Sequence, residues 1–123
     1  MPNTILVVDD DKDIQDLLVA LLAEEGFRVK AVDNGVEALA MLYLTARRPA
    51  LVLLDIAMPY MDGAAFRQAQ LYDPEIADIP VVLISAIPNL PEWAVTLNVI
   101  EYLTKPLDLN RILELAAHHC QVS

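Results

Sequence analysis

The sequence has one cysteine, few basic residues and no long apolar runs, and each of these shortages excludes a class of protein. Cys120 is the only cysteine, which excludes an internal disulfide and leaves no spacing typical of a zinc site. The longest uninterrupted apolar runs, residues 17–23 and 38–44, are far shorter than the roughly 20 residues of a membrane-spanning helix. The N-terminal residues also lack the basic start of a signal peptide. We therefore expect a cytoplasmic chain without a membrane segment.

Basic residues are few, with 8 lysines and arginines against 18 aspartates and glutamates and a net charge of −10. Such a balance repels phosphate backbones, so we expect no direct binding of nucleic acid. The acidic excess is consistent with plain solubility or with a cation site, and only the positions of the carboxylates distinguish the two.

Short apolar runs alternate with stretches of helical spacing, which predicts an α/β domain. The predicted strands are residues 4–8, 27–32, 51–54, 81–84 and 100–103. Helices are predicted between and after them, over about residues 14–25, 35–47, 63–72 and 109–116, with a short fourth helix that starts near Pro91. Right-handed crossovers then give one doubly wound parallel sheet with helices on both faces, in a single domain over residues 1–123.

Polar residues follow the predicted strands at the end where a doubly wound sheet binds its ligand. They are Asp9 and Asp10, Asp55, Ser85 and Lys105. One carboxylate after a strand is commonly a helix cap, but three that converge repel one another unless a cation or a lysine offsets them. Hard oxygen ligands suit Mg²⁺, and Lys105 supplies a second compensating charge.

Four motifs resemble those of response regulator receiver domains, in the same order and at similar spacing over essentially the whole chain. They are VVDD at residues 7–10, LLDIAMP at 53–59, ISA at 84–86 and YLTKP at 102–106. The resemblance implies a flavodoxin-like (βα)5 fold with strand order 2-1-3-4-5. It also implies a phosphoacceptor switch of a two-component system, in place of an enzyme that turns over a substrate.

The resemblance assigns a role to individual residues. Asp55 is the phosphoacceptor, and Mg²⁺ is held by Asp9, Asp10, Asp55 and the backbone carbonyl of Ala57. Ser85 and Lys105 contact the phosphoryl group, Ser85 and Tyr102 form the switch, and the peptide bond before Pro106 is cis.

Partners are implied in the same way. A sensor histidine kinase or a histidine phosphotransfer protein donates the phosphoryl group and docks on Ile14, Gln15 and Leu18. Ile14 and Leu18 share an apolar helical stripe, so packing in the core is an equal alternative for these two. The face built from the fourth helix, fifth strand and fifth helix binds a downstream protein, the chain's own output domain or a second copy. The sequence leaves open whether the chain acts alone or belongs to a longer protein.

Three departures from the family pattern affect these expectations. Tyr60 stands where the family often has glycine, and Leu97-Asn98-Val99 replaces a usual Ala-Gly-Ala. Trp93 in the same segment is more often a core residue than a contact, but at the surface it would be a plausible partner anchor. Ala57 and Ile87, two residues beyond Asp55 and Ser85, cannot hydrogen-bond a hydrolytic water, which predicts slow self-dephosphorylation. Ala57 also disfavours a phosphatase of similar fold, because such an enzyme needs an acid or base at that position.

Overall fold

The strands and helices alternate along the chain, as expected for an α/β domain. The computed structural model describes residues 4–44, 48–57 and 62–120. The elements are β1 (Thr4–Val8), α1 (Lys12–Glu24), β2 (Arg28–Val32), α2 (Gly35–Leu44), β3 (Leu51–Leu54), α3 (Gly63–Tyr72), β4 (Val81–Ser85), α4 (Leu90–Thr96), β5 (Glu101–Thr104) and α5 (Leu109–His119). The predicted boundaries agree within one residue for every strand. The predicted end of α2 lies outside the described residues.

All neighbouring strands are parallel, and their order is β2-β1-β3-β4-β5. This confirms the predicted flavodoxin-like sheet. The central strands β3 and β4 are buried along their whole length, as continuous apolar runs predict for strands that are covered on both faces. The edge strand β5 alternates between half-buried and exposed residues.

Apolar side chains form one layer on each face of the sheet. Residues of α2, α3 and α4, such as Leu42, Phe66 and Leu90, cover one face. Residues of α1 and α5, such as Leu22 and Ile112, cover the other. Fixing the sheet between two layers holds the carboxyl ends of β1, β3 and β4 side by side.

Three loop aspartates act as helix caps, because the side chain of each accepts at least one hydrogen bond from a backbone N–H of the following first turn. They are Asp11 before α1, Asp62 before α3 and Asp108 before α5. Part of the acidic excess is therefore structural. Over the described ranges, none of the helices combines the length and apolar character needed to cross a membrane.

Candidate functional site

Three carboxylates converge at the carboxyl ends of the central strands. Asp9 directly follows β1, Asp55 directly follows the neighbouring β3, and Asp10 starts the β1–α1 turn. One carboxylate oxygen from each of the three lies within 4.8 Å of the others. Asp9 is fully buried and Asp55 is 5% exposed, whereas Asp10 is exposed to solvent. The sheet thus gathers residues that are up to 46 positions apart in the sequence.

Lys105 lies between the two buried carboxylates. Its Nζ is 2.8 Å from Asp9 Oδ2 and 3.2 Å from Asp55 Oδ2. The backbone N–H of Lys105 donates to the carbonyl of Ser85 at 2.8 Å, which fixes the lysine beside the end of β4. The Lys105–Pro106 peptide bond is cis. One ammonium group therefore faces two carboxylates in this pocket, and a third carboxylate stands at its mouth.

The electrostatics of the pocket favour binding of a further cation. Burial raises the pKa of Asp55 above its usual range, and the negative charge of Asp9 raises it further, against the lowering effect of Lys105. Burial alone would lower the pKa of Lys105, but its hydrogen bond to Asp9 and the charge of Asp55 outweigh burial and raise it. Lys105 is therefore an ammonium group at neutral pH, and it does not fully offset the carboxylates.

The donor set fits Mg²⁺. Three carboxylate oxygens that lie close together are hard ligands of the kind Mg²⁺ takes, and the exposure of Asp10 keeps one side of the cluster open to the waters that Mg²⁺ retains. The backbone N–H of Ala57 donates to Asp55 Oδ1 at 3.3 Å, which places the turn after β3 against the same carboxylate.

Ser85 and Tyr102 occupy different environments. Ser85 is the last residue of β4 and is buried, and its Oγ accepts a hydrogen bond of 3.4 Å from the backbone N–H of Ile87. Tyr102 lies on the neighbouring β5 and is 38% exposed. A shallow cavity of about 400 Å³ adjoins Tyr102 and is lined by residues of α4, β5 and the loop between them.

The prediction that Gln15 and Leu18 dock a kinase is wrong. Leu18 is fully buried in the layer between α1 and the sheet, and Gln15 is 2% exposed. Neither side chain can contact a partner, because the apolar stripe of α1 faces the core. Ile14 is half-buried, and Leu17, one helical turn further along, is 43% exposed. The solvent-facing apolar residue of this part of α1 is therefore Leu17.

The role of Gly63, the first residue of α3, is not apparent from the sequence. A Cβ at this position would lie 2.3 Å from the backbone oxygen of Asp55 and 2.8 Å from the Cα of Ile56. The Gly63 N–H donates to the Ile56 carbonyl at 2.8 Å. The start of α3 thus packs directly on the backbone of Asp55. The sequence predicts only that a helix starts at residue 63, although glycine is also the residue that permits such close backbone approach.

A buried arginine joins α3 to the end of α4. The Arg67 guanidinium donates to the carbonyls of Leu97 at 3.0 Å and Asn98 at 2.8 Å, and to Gln70 Oε1 at 2.8 Å. Asn98 has a positive φ of 53°, at the position where the family often has glycine. Trp93 is half-buried and packs against the core, so it is not a free surface anchor. Tyr60 lies outside the described residues.

Known proteins that are similar to this chain include response regulator receiver domains. The family model of the response regulator receiver domain matches residues 5–117. Protein Rrf1 of Nitratidesulfovibrio vulgaris is 36% identical over 88% of this chain and 75% of its own length. Several other curated relatives are longer, and the chain spans only 46% of one and 48% of another.

Solved structures agree in fold. The receiver domain of a signal transduction histidine kinase from Syntrophus aciditrophicus has a TM-score of 0.85 and 30% identity, over 94% of this chain and 88% of that one. The phosphorylated cyanobacterial phytochrome response regulator RcpA has a TM-score of 0.80 and 31% identity, over 96% of this chain and 91% of that one. Fold and acidic pocket together define a receiver-type regulatory domain.

The chain belongs to the response regulator receiver domain family. The general function of this family in two-component signalling is that of a phosphoacceptor switch, and its members work with histidine kinases and output domains. Receiver domains bind Mg²⁺ at an acidic pocket, and the cluster of Asp9, Asp10 and Asp55 could hold a metal ion. The match is to a regulatory family and not to a family of enzymes.

Proposed function

We propose that this chain is a cytoplasmic phosphorylation switch in which Asp55 accepts a phosphoryl group from a phosphohistidine. The donor is a sensor histidine kinase or a histidine phosphotransfer protein. The observation that carries the proposal is the position of the buried Asp55 carboxylate, between Lys105 on one side and the Asp9–Asp10 pair on the other. A carboxylate oxygen of Asp55 attacks phosphorus while the P–N bond breaks, and the histidine nitrogen leaves with the bond electrons and is reprotonated.

The other residues of the pocket bind and orient the phosphoryl group. Asp9, Asp10, Asp55 and the carbonyl of Ala57 would hold Mg²⁺, which offsets the charge of the transferred group. Lys105, already 3.2 Å from Asp55, pairs with a phosphoryl oxygen. The Ser85 hydroxyl donates to another phosphoryl oxygen and turns away from its contact with the Ile87 N–H to do so.

Phosphorylation then changes the affinity of the face formed by α4, β5 and α5. Tyr102 is exposed on this face and turns inward behind Ser85 when the hydroxyl moves, so the phosphoryl contacts favour one of two conformers. The occupant of the face is a downstream protein, the chain's own output domain or a second copy. The likeness to a phosphorylated response regulator supports this part of the proposal.

The kinase docks on the exposed side of α1, beside Asp10. Ile14 and Leu17 lie three residues apart on the helix, half-buried and exposed respectively. Ile14 is kept from the predicted docking residues, and Leu17 takes the place of Gln15 and Leu18. Replacement of Leu17 with aspartate should slow transfer from the kinase while phosphorylation by acetyl phosphate stays as in the wild type.

The proposal is tested by intact-mass measurement after incubation with acetyl phosphate, with and without Mg²⁺. The variants are Asp55→Asn and the matched control Asp108→Asn, which makes the same change at the cap of α5, where asparagine caps equally well. One Mg²⁺-dependent phosphoryl group is expected on the wild type and on Asp108→Asn, and none on Asp55→Asn. A folded wild type that takes no phosphoryl group would refute the phosphoacceptor role.

A further inference from the structure

Gln15 lies in the interior behind the acidic pocket, where its amide is surrounded by acceptors. Its Nε2 donates to the backbone carbonyl of Asp9, to the carbonyl of Val32 at 3.1 Å and to Asp33 Oδ1 at 2.7 Å. Its Oε1 accepts a hydrogen bond of 3.3 Å from Lys12 Nζ. An amide nitrogen has only two N–H groups, so the three acceptors share them and the orientation of the side chain is fixed.

These hydrogen bonds join the end of β1 to the end of β2, directly beside Asp9 of the acidic pocket. Asp9 donates its own N–H to the Val32 carbonyl at 3.2 Å, so one amide contacts both sides of this strand junction. The carboxylate of Asp9 is held separately, with Oδ1 accepting from the Asp11 N–H at 2.9 Å and Oδ2 facing Lys105. Gln15 thus adds a side-chain hydrogen bond that holds the Asp9 carbonyl, and with it the backbone from which the Asp9 and Asp10 carboxylates project.

We infer that Gln15 is a positioning residue for Mg²⁺, acting through the backbone of Asp9 without touching the ion. This inference rests on the proposed Mg²⁺-dependent switch. Mg²⁺ demands near-ideal geometry from its ligands, so a small turn of the Asp9–Asp10 backbone weakens binding. Loss of a group that orients a metal ligand typically costs 10- to 100-fold in affinity. Asp9, Asp10 and Gln15 therefore form one unit of the pocket, and α1 provides its support.

The test replaces Gln15 with methionine, which keeps the length of the side chain and removes the hydrogen bonds. The structure offers a matched control in Gln70→Met. Gln70 is also fully buried and donates from Nε2 to two backbone carbonyls, those of Ile76 at 2.9 Å and Ile79 at 3.0 Å, but it lies on α3, away from the carboxylates. Both variants lose a comparable set of buried hydrogen bonds, so loss of stability alone affects both.

Two readouts separate positioning from simple destabilisation. Calorimetric titration with MgCl₂ measures affinity directly, and the rate of phosphorylation by acetyl phosphate is followed against Mg²⁺ concentration. For Gln15→Met we expect Mg²⁺ affinity to fall by about tenfold, with the rate at saturating Mg²⁺ close to that of the wild type. Gln70→Met should bind Mg²⁺ as the wild type does. If Gln15→Met does not fold, Gln15→Asn keeps the amide one methylene further back and should shift affinity in the same direction.

The possible results are distinct. Equal Mg²⁺ affinity in the wild type and the Gln15 variant would overturn the inference and leave the proposed switch intact. An equal loss of affinity in the Gln15 and Gln70 variants would also overturn it, because it would report general destabilisation. A folded wild type that binds no Mg²⁺ would overturn the proposed function and the inference together.

Discussion

Replacement of Gly63 with alanine places a methyl group against the backbone of the proposed phosphoacceptor. The new Cβ would lie 2.3 Å from the backbone oxygen of Asp55 and 3.0 Å from its carbonyl carbon. Both contacts are with main-chain atoms, so no side chain can rotate to relieve them. Either the first turn of α3 moves away and loses the hydrogen bond from the Gly63 N–H to the Ile56 carbonyl, or the Asp55 backbone moves.

Two opposing effects set the size of the change. Alanine is favoured over glycine within a helix by about 1 kcal/mol, and by less at the first position. The steric term is larger, because relief of the contact needs a shift of roughly 1 Å in a close-packed region, and overpacking of this kind costs about 1–3 kcal/mol. The free energy of unfolding should therefore fall by about 1–2 kcal/mol. A phosphoacceptor displaced by about 1 Å should react up to about 100-fold more slowly.

Urea unfolding gives the stability of Gly63→Ala, and the time course of phosphorylation by acetyl phosphate at saturating Mg²⁺ gives the rate. The control is Ala65→Gly, an exposed position in the same helical turn that does not face Asp55. This variant should lose about 1 kcal/mol through helix propensity and keep the wild-type rate. A Gly63→Ala variant with wild-type stability and rate would show that the contact between α3 and Asp55 relaxes at no cost.

Three further results are expected. Arg67→Met should lower the free energy of unfolding by about 1–3 kcal/mol in urea, because it leaves the carbonyl of the buried Leu97 without a donor and also removes the part-buried contact with the Asn98 carbonyl. A loss below about 0.5 kcal/mol, typical of an ordinary surface change, would contradict this. Burial raises the pKa of Asp55 above its ordinary value of 3.8, so the folded state binds this proton more tightly than the unfolded state. The free energy of unfolding therefore falls as the pH rises from that ordinary value through the raised pKa of the folded state. Asp55→Asn removes that loss and should have a higher Tm than the wild type at neutral pH without Mg²⁺; a lower Tm would contradict it. Replacement of Ala57 with asparagine and Ile87 with glutamate together should shorten the phosphoryl lifetime on the chain, measured by intact mass after removal of acetyl phosphate; an unchanged lifetime would exclude control by these side chains.

Most of the fold could be predicted from the sequence because strands that are buried on both faces appear in it as continuous apolar runs. The apolar runs at β3 and β4 have no alternation, and the stripe of α1 repeats with helical spacing, so periodicity alone identified these elements. Edge strands are less well determined. The predicted fifth strand began one residue early, because Ile100 is apolar yet 50% exposed.

The sequence predicts the part of the candidate site that lies at the ends of strands. It does not predict the part that depends on packing between helices and strands. The convergence of Asp9 and Asp55 could be predicted because each is a polar residue directly after a buried strand. The interpretation of Gln15 as a docking residue failed because a polar side chain on an apolar helix face has two possible directions, and only the acceptors around it decide between them. Gly63 was missed for a similar reason, since a close approach between backbones leaves no pattern along the chain.

The two buried aspartates of the pocket are held by different contacts, and the difference bears on the proposed switch. The main-chain carbonyl of Asp9 is held by a donor in α1, and its carboxylate accepts from a main-chain N–H as well as from Lys105. The contacts of the Asp55 carboxylate are longer, 3.2 Å to Lys105 and 3.3 Å to the Ala57 N–H, and burial opposes its charge. Under the proposed function, the firmly held Asp9 beside a less strongly held Asp55 would let phosphorylation rearrange Lys105 and Ser85 while Asp9 keeps its place.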